Sequence, residues 1–140
     1  MDNLSTGFLE KCIRTLKLSF DHLLVAEQAK DELAYEMYRN ALVKGFEITL
    51  EQSGKLLKKH LMPYFATKKA VDQLRFKDIF RHAHKHGLLE EAAVTRWLAY
   101  RDNRNHTAHD YGEAFAEQTV DLARELIADA QQLVEVLQRG

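Results

Sequence analysis

The sequence predicts an all-α domain, an antiparallel up-and-down bundle of four to five helices, and three observations carry that expectation. Apolar residues recur three and four apart along nearly the whole chain, and no stretch alternates as a strand would. One proline and six glycines are too few for a turn-rich β sandwich. The apolar stripes are long and the segments between them short, the pattern of helices folded back on one another. At 140 residues, 46% hydrophobic and 29% charged, the chain can bury one sizeable core, so residues 1–140 are expected to form a single domain.

The first helix carries Phe8, Cys12, Leu16, Phe20 and Leu23 on one stripe, with Leu9, Ile13 and Leu24 beside it and Ser5 or Thr6 as its cap. The second runs from about Asp31, a plausible N-cap, to Leu61, where Pro63 forbids easy continuation. Its expected inward set is Ala34, Met37/Tyr38, Ala41, Gly45, Ile48 and Leu56, and Gly45 and Gly54 either admit a close neighbour or bend it. Tyr64 to Leu74 is weakly periodic and reads as a connection. A shorter helix spans about Phe76 to His86, with Phe76, Ile79/Phe80 and Ala83 inward and Gly87 as its C-terminal cap. A fourth starts near Glu90, acidic at its positive end, and runs through Val94, Trp97, Leu98 and Arg101 before fading near Thr107 to Tyr111. The last, Glu113 to about Leu137, has the stripe Phe115, Thr119, Leu122, Leu126, Ala130, Leu133 and Val136/Leu137, widened by Ile127.

Several classes of protein are disfavoured by composition. The longest apolar run, Leu23-Leu24-Val25-Ala26, is far short of the roughly 20 residues a membrane helix needs. The opening MDNLSTGFLEKC has no basic region followed by an apolar run, so no secretory signal is expected. Cys12 is the sole cysteine, which excludes an internal disulfide and any multi-cysteine metal centre. A soluble, cytoplasmic domain is the expectation. There is no glycine-rich phosphate loop, paired catalytic carboxylates or nucleophile elbow, which argues that the chain does not itself transfer nucleotides.

Net charge is −1, but it is segregated. Between Lys55 and His86 there are nine Lys/Arg (Lys55, Lys58, Lys59, Lys68, Lys69, Arg75, Lys77, Arg81, Lys85) against Asp72 and Asp78, giving +7; the remaining 11 basic and 19 acidic residues give −8. Such a segment is either a solvated helix face or a local attractor for a polyanion or an acidic partner.

The unusual stretch is Trp97-Leu98-Ala99-Tyr100-Arg101-Asp102-Asn103-Arg104-Asn105-His106-Thr107-Ala108-His109-Asp110-Tyr111, which gathers two arginines, two histidines and two tyrosines beside a turn after Tyr100's own turn of helix. Arg104 and His109 would lie about 140° apart on a continuous helix, but a helix ending near Ala108 lets His109 fold back toward the Arg104 face. Arginine forks onto phosphate oxygens, and a histidine near its ordinary pKa can move a proton at a ribose hydroxyl near neutral pH. By spacing alone, an Arg–Asp or His–backbone network fixing the helix end explains these residues better than catalysis does. Arg101 with His106 repeats the spacing, yet Ala108 stands where the first pairing has a tyrosine. Tyr100 either lines a cleft or packs on a guanidinium, Asp102 suits an orienting partner for an arginine, and Trp97 and Cys12 read as core. His82 and His86 share a helix face, but no nearby Cys or Glu completes a metal set, and no metal or other cofactor is expected.

Arg104-x4-His109-x-Tyr111 resembles the R-x4-H-x-Y pattern of HEPN-domain toxins of the HepT type, with Asn105 fitting their polar residue after the arginine. Phe76-Lys77-Asp78-Ile79-Phe80, Gly87-Leu88-Leu89 and Trp97-x2-Tyr100-Arg101-Asp102 resemble the branch named for nucleotidyltransferase substrate binding. The resemblance implies a helical homodimer whose two Arg/His motifs face one cleft, and a metal-independent endoribonuclease with RNA as substrate. It further implies Arg104 and His109 as catalytic and Asn105 and Tyr111 as positioning residues, with Tyr100, Arg101 and Asp102 near the cleft. A small nucleotidyltransferase antitoxin encoded nearby would attach AMP to Tyr111. Some members of this branch are instead non-catalytic subunits that present a nucleotide or acceptor substrate to a separate nucleotidyltransferase.

Overall fold

The computed structural model describes residues 5–107 and 113–139; of these, residues 104–107 are described as backbone only. The described residues form six α-helices and no strand: α1 (Gly7–Gln28), α2 (Glu32–Leu61), α3 (Lys68–Asp72), α4 (Phe76–Lys85), α5 (Glu91–Thr107) and α6 (Glu113–Gln138), with a short 3-10 turn at Met62–Tyr64. None of the described helices is long and apolar enough to cross a membrane.

The 30-residue α2 is the central strut: α1 and α6 pack along it, α4 and α5 lie against its later part, and α5 packs on α6. Its buried residues are Leu42, Phe46, Thr49, Leu50, Ser53, Gly54, Leu56, Leu57 and Leu61. Of the expected inward set, Leu56 is buried and Tyr38 packs against the core, but Met37, 63% exposed, and Ala41 face solvent, and Ala34, Gly45 and Ile48 are only half-buried. Two apolar stripes compete on this helix, about one residue (100°) apart, and the one bearing the larger Leu and Phe side chains is buried because it removes more apolar surface from water. In α1 the expected stripe holds except at its first residue. Leu9, Cys12, Ile13, Leu16, Phe20, Leu23 and Ala26 are buried, whereas Phe8, one position from Leu9, is 57% exposed. In α6 the stripe holds, with Ala123 rather than Leu122 fully enclosed.

Caps explain where the helices start and stop. Asp31 accepts from the Ala34 amide at 3.1 Å, as its position predicts. Thr6 precedes α1, but its hydroxyl donates to Glu10 and accepts from Gln138, tying the two ends of the chain together. The expected connection after Tyr64 contains α3, capped by Thr67 through the Ala70 amide; only Val71 of its five residues is buried, too few to produce a period. Gly87 ends α4 at φ +76°, with its amide and that of Leu88 donating to the His84 and Ala83 carbonyls.

Candidate functional site

The end of α5 is fixed from three sides before its last turn begins. Trp97 is fully buried, stacked on Phe80 with ring centroids 4.7 Å apart and edge-on to Tyr100 at 5.6 Å. Asp129 of α6, 5% exposed, receives two hydrogen bonds from the Arg96 guanidinium, at 2.9 and 2.8 Å, and one from the Tyr100 hydroxyl. Hydrogen bonding to Asp129 holds Arg96 still more firmly in its cationic form, and burial, then the Asp129 bond, pushes the Tyr100 phenol well above its usual range. One turn on, the buried Asn103 donates to Thr119 at 3.0 Å, and the Thr119 hydroxyl donates to the Phe115 carbonyl. These contacts clamp α5 to α6 up to the residue before Arg104.

The same end of the bundle holds a second network. Glu117, in the first turns of α6, accepts from the Tyr35 hydroxyl at 2.7 Å and from Arg39 at 3.1 Å, so α2 is bound to α6 near the connection between α5 and α6. Burial, followed by the Glu117 hydrogen bond, pushes the Tyr35 phenol up to about 12. Tyr35 and Arg39 line a cleft of about 630 Å³ with Glu27, Lys30, Glu36 and Glu113, the first residue of α6. Nothing in the sequence marks this network, because its partners lie 82 and 78 residues apart.

On the other side, Lys77 of α4 meets Asp102 at 2.6 Å, and the Arg101 guanidinium lies over the Phe76 ring, 5.0 Å from its centroid. The structure thus places the three candidate cleft residues differently. Tyr100 has no solvent exposure and belongs to the interior, where its hydroxyl donates to Asp129 beside the Arg96 guanidinium. Asp102 pairs with Lys77, which α4 brings beside it. Arg101 is half-buried on the α4 side. Arg104 and Asn105 lie on the backbone of the last turn of α5, while His109 and Tyr111 lie outside the described residues. His82 and His86 stack with centroids 6.4 Å apart, and His86 also stacks on Tyr64. No cluster of three His, Cys, Asp or Glu side chains suited to a metal occurs among the described residues.

A helical bundle that carries an Arg/His/Tyr spacing where one helix turns into the next defines a HEPN-like class of protein. The family model described as "Nucleotidyltransferase substrate binding protein like" matches residues 11–139, and the chain belongs to that family. It is also similar to a Haemophilus influenzae protein named "Probable ribonuclease HepT", 30% identical over 97 residues. That match covers 69% of this chain and 65% of the relative, so it spans less than two thirds of the relative's length. A solved Haemophilus influenzae structure, described as revealing the fold of a substrate binding domain of a nucleotidyltransferase, superposes with a TM-score of 0.79. It covers 95% of this chain and 98% of its own at 22% identity, a likeness of fold.

Proposed function

We propose that this chain is a metal-independent endoribonuclease of the HepT kind, acting in the cytoplasm as a homodimer. The observation that carries the reading is the sequence spacing Arg104-x4-His109-x-Tyr111 on a chain of this family, with the backbone of residue 104 in the last turn of α5. In this chemistry His109 takes the proton of a ribose 2′-hydroxyl. The 2′-oxygen forms its bond to phosphorus as the P–O5′ bond breaks, and the departing 5′-oxygen receives a proton. Arg104 binds the phosphate oxygens and offsets the charge that builds on them. Asn105 and Tyr111 position the site.

Tyr111 is also the residue at which a neighbouring nucleotidyltransferase would attach AMP. A tethered phosphate there competes with RNA for Arg104 at high effective concentration, so modification silences the enzyme. The test is cleavage of RNA by unmodified protein, with intact mass establishing beforehand that no AMP is attached. With no added metal, the parent is expected to leave cyclic phosphate ends, and His109→Ala and Arg104→Ala to lose at least 10²-fold in rate while keeping fold and dimer. Equal cleavage by either variant would sink the assignment.

The family description favours a second reading, a non-catalytic subunit that presents substrate to a separate nucleotidyltransferase. It expects a stable complex with that enzyme and no cleavage of any RNA by the clean, folded dimer.

A further inference from the structure

We propose that the groove between α4 and α5 is the track that holds the RNA backbone as it enters the Arg104 motif, an inference that rests on the ribonuclease reading. The groove has a volume of about 700 Å³ and is lined by Arg75, Phe76, Lys77, Asp78 and Arg81 from α4 and its N-terminal boundary and by Arg101 from α5. It therefore divides the basic segment. Three of the nine cations between Lys55 and His86 converge here and are joined by a fourth from another helix, while Lys68 and Lys69 stand exposed on α3 and Lys58 pairs with Asp72 at 3.6 Å.

Local carboxylates only partly neutralise the groove. Asp78 accepts from the Arg75 amide at 3.2 Å and sits 3.8 Å from Arg81, and Asp102 is taken by Lys77. Among the described residues, neither Arg75 nor Arg101 has an ion-pair partner. Arg101 is also held in place. Its guanidinium lies on Phe76, and that ring is packed against Phe80 with centroids 4.8 Å apart and against Gly54, where an added Cβ would stand 2.8 Å from it. A cation over an aromatic face keeps the N–H donors at its edge free for phosphate oxygens, and fixing it beforehand lowers the ordering cost of binding. α5 continues beyond Arg101 through the backbone of residue 104, so the groove lies one helical turn before that position.

The chemistry favours a nucleic acid over an acidic protein. A protein-docking surface has an apolar centre inside a polar rim. This groove has one aromatic ring, and that ring lies beneath an arginine. The large apolar side chains that are exposed lie elsewhere: Phe8, Leu18, Val25, Leu33 and Met37 on α1 and α2, and Met62 and Tyr64 in the short 3-10 turn. Cations of one sign spaced along a furrow match a phosphate backbone, and every phosphate they neutralise releases counterions.

The experiment measures binding of a fluorescent single-stranded RNA to the full-length His109→Ala protein across a range of salt, by anisotropy. Arg75→Ala/Arg81→Ala is expected to bind about tenfold more weakly and to flatten the slope of log K against log salt by about 1.4, roughly 0.7 per phosphate lost. Lys68→Ala/Lys69→Ala removes the same charge from α3 and is expected to change affinity less than about twofold. Circular dichroism and thermal midpoints check that both pairs fold as the parent does. Equal losses in the two pairs would show a diffuse field and overturn the track, as would no loss in either. Unaltered RNA binding alongside lost capture of the partner nucleotidyltransferase would make the groove a protein-docking face and overturn it too. Cleavage of the same RNA by the parent separates the two ideas. Groove-dependent binding without histidine-dependent cleavage keeps the track and removes the ribonuclease; histidine-dependent cleavage indifferent to the groove does the reverse.

Discussion

Lys30 and Gly87 occupy the same backbone position at the ends of two helices. After α1, the Asp31 and Lys30 amides donate to the Ala26 and Glu27 carbonyls, as Leu88 and Gly87 do after α4. Both turns need a left-handed residue: Gly87 is at φ +76° and Lys30 at +56°. A side chain at such a φ costs about 1–2 kcal/mol, which glycine avoids. Lys30→Gly is therefore expected to raise unfolding free energy by about 1 kcal/mol and Gly87→Ala to lower it by about 1 kcal/mol, read as opposite shifts of the urea midpoint. Unchanged midpoints in both would mean that these turns carry no strain. Gly87 was legible in the sequence because glycine announces the turn, whereas nothing about a lysine does. The site shows the same division. Arg104, Asn105, His109 and Tyr111 stand out because they are close in sequence, while Asp129 is joined to Arg96 and Tyr100, and Glu117 to Tyr35 and Arg39, only by the fold.

At the scale of the helices, two glycines of α2 show what periodicity reads and what it misses. Gly45 and Gly54 marked places of close approach, but only the packing separates them. A Cβ at Gly45 would meet the Leu16 side chain and Cα at 3.5–3.7 Å, ordinary contact distances with α1. At Gly54 it would stand 2.8 Å from the Phe76 ring, which Phe80 and Arg101 hold on its other sides. Gly45→Ala is accordingly expected to stabilise the protein by roughly 0.5–1 kcal/mol through helix propensity. Gly54→Ala incurs about 1–3 kcal/mol of overpacking, more than that gain, and displaces the ring that seats Arg101. Thermal midpoints that rise for both alanines would show that Phe76 moves aside freely. Helix order, most boundaries and the inward face of α1 were legible because caps, breakers and a single strong stripe are local; the inward face of the first half of α2 was not. A helix apolar on two adjacent stripes is oriented by its neighbours, and those neighbours are far away in sequence.

Over the whole molecule, charge is distributed by the fold rather than along the chain alone. The α4–α5 groove presents Arg75, Lys77, Arg81 and Arg101, whereas the cleft beside the start of α6 presents Glu27, Asp31, Glu32, Glu36 and Glu113 against Lys30 and Arg39. On the ribonuclease reading proposed above, an RNA strand approaching the end of α5 would be drawn from one side and repelled from the other, which would bias the direction of entry without adding a contact. This field belongs to the fold: the acidic residues come from three helices or their connections, and a net charge of −1 conceals it. Because Glu32 and Glu36 are exposed and make no ion pair among the described residues, their neutralisation should leave stability nearly unchanged. Glu32→Gln/Glu36→Gln is expected to raise the association rate for single-stranded RNA by roughly two- to tenfold at low salt. The gain should disappear near 0.5 M salt, where the screening length falls to a few ångströms, about 4 Å. Stopped-flow fluorescence at the two salt concentrations makes the comparison. A gain that persisted at high salt would place these carboxylates in direct contact with the RNA, and the absence of any gain would mean that the strand does not pass this side of the molecule.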